Sequence, residues 1–220
     1  MKPAAQSTNS VAGHERAEWL KQQLRDFATT GPLRKRFDQL RNLLPETADT
    51  HETEALLDYF LFDWFDENGQ AAINHFLSSS DHITESDRRI LLDWTDSLSS
   101  VFEIRSVDKN SLSLLDLDSE EIFQVATPRP LTKSALKRQQ YLSARLLPLG
   151  DKFIFSGVQI VMPDRESAIE EVQVRRSLDR LYSPEALEKA QREQCSAFCN
   201  FFGCDEVSVT LRNLNPCIEQ

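Results

Sequence analysis

Glycine is scarce in this chain: there are six among 220 residues. A loop that cradles phosphate needs glycines close together so that backbone N–H groups can converge on the anion. Ordinary nucleotide-binding folds are therefore excluded, and with them an ATPase or a dehydrogenase. Cysteine is missing from the first 194 residues and occurs only at Cys195, Cys199, Cys204 and Cys217. In a chain of this size without a secretory leader, that pattern reads as reduced thiols rather than a disulfide scaffold.

Long hydrophobic runs are also lacking. The longest, from Tyr59 to Phe62, is bounded by Asp58 and Asp63, far short of the roughly 20 residues that cross a bilayer, so no membrane partner is expected. Met1 to Gly13 is small and polar and lacks the apolar stretch of about 7–15 residues that a secretory signal carries. It reads as a disordered tail, and the chain as cytoplasmic. Positive charge is in deficit as well, with 25 Lys and Arg against 35 Asp and Glu and a net charge of −10. Such a surface repels a phosphate backbone, so any contact with nucleic acid needs a local basic patch.

What the chain does have is hydrophobic periodicity of two kinds. Trp19, Leu20, Leu24 and Phe27 predict a helix over 14–28, and Leu33, Phe37, Leu40 and Leu44 predict a second one closed by Pro45. A broad apolar face over 51–65, a short helix around Ala71–Leu77 and a capped helix from Thr84, with Asp87 at the third position, complete a helical region over 14–99. At residue 100 the period changes to two. Strands are predicted over 101–106, 112–117, 121–127, 141–149 and 153–162, with Gly157 marking a bulge or bend.

The expected fold is therefore α+β. A disordered tail (1–13) precedes a helical domain (14–99), a five-stranded β-barrel-like domain of SH3-like or OB-like size (100–163), and a helical C-terminal extension (164–220). In the extension, Ser183-Pro184-Glu185 starts a helix, and Val207–Leu211 suits a short terminal strand.

Two stretches, Ala55-Leu-Leu-Asp-Tyr-Phe-Leu-Phe-Asp-Trp-Phe65 and Tyr141-Leu-Ser-Ala-Arg-Leu-Leu-Pro-Leu-Gly-Asp-Lys-Phe-Ile-Phe-Ser-Gly157, resemble an uncharacterised bacterial family over about residues 15–163. In that family the region often sits beside a SEC-C zinc motif. No such motif occurs here, so the resemblance implies a shared fold and carries over no metal. Its matching residues are core-type and say almost nothing of chemistry.

Four features are candidates for function. The acid-free interval from Ile122 to Gly150 holds Arg129, Lys133, Lys137, Arg138 and Arg145. It predicts a binding loop between two strands, with Phe123 or Tyr141 as stacking faces if the ligand is RNA; the bland alternative is a solvated loop paired with the protein's own acids. Cys195 and Cys199 share a helix face and Cys204 follows, but the spacings are not those of a zinc knuckle and the neighbours are apolar, so they read as buried thiols and no metal is assigned. His14, His51, His75 and His82 lie in no catalytic pattern and read as surface or capping residues. On the aromatic helix, Tyr59 and Phe62 fall partly off the core stripe and face either the barrel or a partner.

No catalytic residue and no cofactor is assigned. The sequence favours a non-enzymatic protein-binding adaptor or regulatory protein. An RNA- or nucleic-acid-binding factor is the alternative, and an enzyme of unrecognised type ranks third.

Overall fold

The computed structural model describes residues 6–181 except Glu46, Glu67, Asp81 and 128–135. Contacts divide the chain into two units, Met1–Ile169 and Glu170–Gln220. The first opens with five helices: α1 (Gln6–Thr29), α2 (Arg34–Arg41), α3 (Thr50–Phe62), α4 (Ala72–Ser79) and α5 (Glu85–Asp93). α1 begins inside the stretch expected to be tail; once a helix is nucleated, each further residue adds a hydrogen bond at small cost.

α3 stops at Phe62, three residues before its apolar pattern ends. Beyond it Phe65 bridges to Ala71, and the Asp66 carboxylate accepts the backbone N–H groups of Asn68 and Gln70. Those bonds hold Asp66 below the usual carboxylate range, with the Gln70 N–H the largest cause. They stabilise a turn that competes with the helix.

The start of α3 is fixed by a reciprocal cap. Asp49 accepts the Glu52 N–H at 2.9 Å, and the Glu52 carboxylate accepts the Asp49 N–H at 2.8 Å. Replacing Asp49 with alanine is expected to cost about 1 kcal/mol, read as a lower urea midpoint with an unchanged m-value.

A 3-10 turn, Trp94–Asp96, leads into β1 (Leu98–Val107), followed by β2 (Ser111–Asp116), β3 (Ile122–Ala126), β4 (Tyr141–Leu149) and β5 (Lys152–Met162). They form one mixed sheet in the order β1-β2-β3-β5-β4, which closes as β4 returns to β1. The closure of β3 on β5 is parallel and rests on one pair, Val125 with Phe153. The alternation that predicted the strands sends Phe102, Ile104, Leu112, Leu114, Leu142 and Leu146 to the inside, fully buried. Each contributes about 1.5–3 kcal/mol through apolar burial.

A second core fills the space between the helices and one side of the sheet. Leu20, Leu24, Phe60, Phe76 and Trp94 meet Leu147 and Ile154 there, and the Trp94 indole N–H donates to the Pro148 carbonyl at 3.1 Å. Helices and sheet thus share one compact unit.

α6 (Arg165–Leu181) follows β5. Its stretch in the second unit carries an Arg175–Glu171 ion pair and exposed Val174 and Leu178. The predicted helix from Ser183, the strand over 207–211, and Cys195, Cys199, Cys204 and Cys217 lie outside the described residues.

Candidate functional site

The bulge anticipated at Gly157 lies in β5. Ala144 pairs with Gln159 and Leu146 with Phe155, so Ser156, Gly157 and Val158 together oppose the single residue Arg145. Bulges of this kind bend a strand and re-aim side chains. Here the looped-out backbone faces α1 and α3 across a narrow cleft with about 20 Å³ of free space, lined by Lys21, Arg25, Glu54, Asp58 and Phe62 along with Ser156 and Gly157.

Every charge around this cleft has a partner. The Lys21 ammonium donates to the Phe155 carbonyl at 2.9 Å and lies 2.6 Å from Glu18. Arg25 grips Glu54 with two bonds of 2.6 and 2.7 Å, and that grip holds the Glu54 carboxyl below its ordinary range. Arg145 is buried, at 5% side-chain exposure. It donates to Asp58 at 2.7 Å, to Ser97 at 3.1 Å and to Asp63, and its guanidinium stands 5.2 Å from the centre of the Phe62 ring. The Ser156 hydroxyl is buried without a protein partner. The free space of the cleft suits a water molecule on that hydroxyl rather than a metabolite.

This arrangement is an electrostatic latch between sheet and helices. It has no free base beside a nucleophile, and among the described residues no group of acids, histidines and cysteines could hold a metal ion.

The residues singled out from sequence are dispersed. Arg145 belongs to the latch and not to the loop with which it was grouped; its charge is spent on Asp58 and Asp63. Lys137 and Arg138 are exposed and make no ion pair with a described residue, whereas Arg129 and Lys133 lie outside the described residues. Phe123 is partly buried and packs against the sheet interior, at right angles to Phe102 at 6.1 Å and to Phe153 at 5.2 Å. Tyr141 is half-buried on the outer face, Tyr59 is exposed, and Phe62 packs on the helical core beneath Arg145.

Of the histidines, His75 meets Asp66 at 2.9 Å, and His82 contacts the Phe76 ring edge. His14 is buried with neither ring nitrogen hydrogen-bonded, and burial lowers its pKa. Sequence reasoning missed the Arg16–Asp87 pair: two bonds of 2.7 and 2.6 Å join the middle of α1 to the cap of α5. The one signal was Asp87 itself, standing in a capping box where glutamate is usual.

Comparison with known proteins places the chain in a family. The model of DUF7986, a family of unknown function, matches residues 43–203, and the chain belongs to that family. No curated protein and no solved structure matches it.

Proposed function

We propose that this DUF7986 member is a non-enzymatic, protein-binding adaptor or regulatory protein of the bacterial cytoplasm. In this reading an OB-like five-stranded barrel presents the connection between β3 and β4 to an acidic surface on a partner protein. The Greek-key strand order supports the OB-like assignment. The observation that carries the function is the state of Lys137 and Arg138, two exposed cations without an ion pair among the described residues, in the turn that leads into β4 in a chain of net charge −10. Free charge on a loop held by a sheet is suited to steering and orienting a partner.

A protein partner is favoured over nucleic acid by what the outer face of β2 and β3 offers. Ser111, Ser113, Leu115, Ile122 and Gln124 lie there by register, with neither a ring nor a cation among them. Single-stranded nucleic acid binds to aromatic platforms along a basic groove, and Phe123 and Arg145 are both committed internally.

The test is affinity capture by the wild type and by Lys137→Glu/Arg138→Glu, each with and without nuclease treatment, with bound proteins identified by mass spectrometry and bound RNA measured in the untreated arm. A nuclease-resistant protein whose recovery falls about tenfold or more in the variant is the expected result, equivalent to about 1.4 kcal/mol. Stability should change by less than about 0.5 kcal/mol. Recovery of RNA that the variant loses would replace this reading with the nucleic-acid one.

A further inference from the structure

Outside its bulge, β5 is paired throughout on one side only. β4 covers it from Lys152 to Phe155 and from Gln159 to Met162, whereas β3 reaches it at Phe153 alone. Near the bulge, Lys21 takes the Phe155 carbonyl. From Val158, the last residue of the bulge, to Met162, no described residue hydrogen-bonds to the backbone groups turned away from β4.

This stretch reads Val-Gln-Ile-Val-Met. It is uncharged and rich in β-branched side chains, without the lysine, proline or inward-pointing charge that usually blunts an edge strand. Ile160 and Val161 stand 50% and 49% exposed. Ile160 lies on the outer face beside the row that runs from Met162 through Tyr141 and Glu103 to Leu115 and Ile122. An edge of this composition is a template for another strand.

We infer that the β5 edge from Val158 to Met162 pairs antiparallel with the same edge of a second copy of this chain, forming a two-fold dimer. The occupant follows from self-complementarity. A two-fold axis at Ile160 sets Gln159 against the other copy's Val161 and Val158 against its Met162, so no charge is buried and no like charges face each other. On the outer face Met162 extends the contact, with the Tyr141 ring behind it on β4.

Two quantities fix its strength. Five paired residues with a short apolar row bury less than the roughly 1,000 Å² of a firm interface, and −10 on each copy opposes association. The dimer is therefore weak and is strengthened by salt, which screens that repulsion. This inference is independent of the adaptor reading, since it needs no other protein.

Sedimentation velocity of the full chain over about 2–200 μM, at low and at high salt, tests it. The dimer fraction should rise with concentration and with salt in the wild type, and Ile160→Lys should stay monomeric with an unchanged circular dichroism spectrum. Hydrogen exchange of the wild type across the same range supplies a readout that does not depend on the variant folding: the amides of Val158–Met162 should gain protection at the higher concentration. A wild type that is monomeric throughout, a dimer that survives Ile160→Lys, or no gain in protection would each overturn the inference.

Discussion

Arg145→Met is expected to destabilise the protein by about 3–4 kcal/mol, the largest effect of any charged side chain in the sheet. Urea denaturation at neutral pH is the measurement. Arg145 is 5% exposed and serves Asp58, which is 21% exposed, as well as Asp63, which is 46% exposed. Removing the cation strands Asp58 in a poorly hydrated place, whereas Asp63 can turn to water; this keeps the expected cost at the lower end for a broken buried pair.

The contrast with surface pairs is one of solvation. Arg89 and Glu85 sit 3.6 Å apart on α5, with both side chains mostly in water, and such a pair contributes at most about 0.5 kcal/mol. Two further outcomes identify the latch. Adding Asp58→Asn to Arg145→Met should recover part of the loss, because the uncompensated charge is gone. Arg145→Lys should recover little, since one ammonium cannot span two carboxylates and a hydroxyl as a planar fork does.

The second large effect is expected at Asp87. Its side chain is almost fully buried, accepts two bonds from Arg16 and bonds the Thr84 hydroxyl at 2.6 Å and backbone N–H at 2.9 Å. The Arg16 guanidinium is the main reason its carboxyl stays well below the usual carboxylate range, with the Thr84 bonds adding to it against the cost of burial. Asp87→Asn should cost about 2–3 kcal/mol, discounted because Arg16 is partly exposed and stacks on the Trp19 ring at 3.9 Å.

The pH dependence has a definite sign. A carboxyl whose folded pKa is depressed stabilises the fold above its unfolded value, near 3.9, and that stabilisation is lost as pH falls toward the folded value. Wild-type stability should therefore fall more steeply than that of Asp87→Asn as pH drops from about 5 toward 2. Parallel curves would contradict the assignment.

These two residues also show where the sequence becomes opaque. The five strands were legible because inward positions such as Leu112 and Leu114 alternate with serines, and Gly157 announced the bulge because a strand-interior glycine packs nothing. The partners of Arg145 were not legible. Asp58 and Asp63 lie 87 and 82 residues away along the chain, and no local period encodes a contact that exists only once α3 lies on β4 and β5. Grouping Arg145 with Lys137 and Arg138 followed proximity in sequence, but pleating turns Arg145 toward the helices while the other two stay in solvent.

Phe123 illustrates the same limit. Its place beside a basic stretch suggested a stacking face, and its register opposite buried Leu114 turns it inward. The parallel closure of β3 on β5 was likewise invisible, because it depends on where β4 returns.

The most direct test of the proposed function is site-specific photo-crosslinking from position 137 in cells, with a benzophenone amino acid in place of Lys137. The proposal predicts a discrete protein adduct that resists nuclease and is lost when the same amino acid replaces exposed Leu92 instead. An adduct that nuclease removes, or a pattern identical at the two positions, would contradict a protein partner held at the β3–β4 connection.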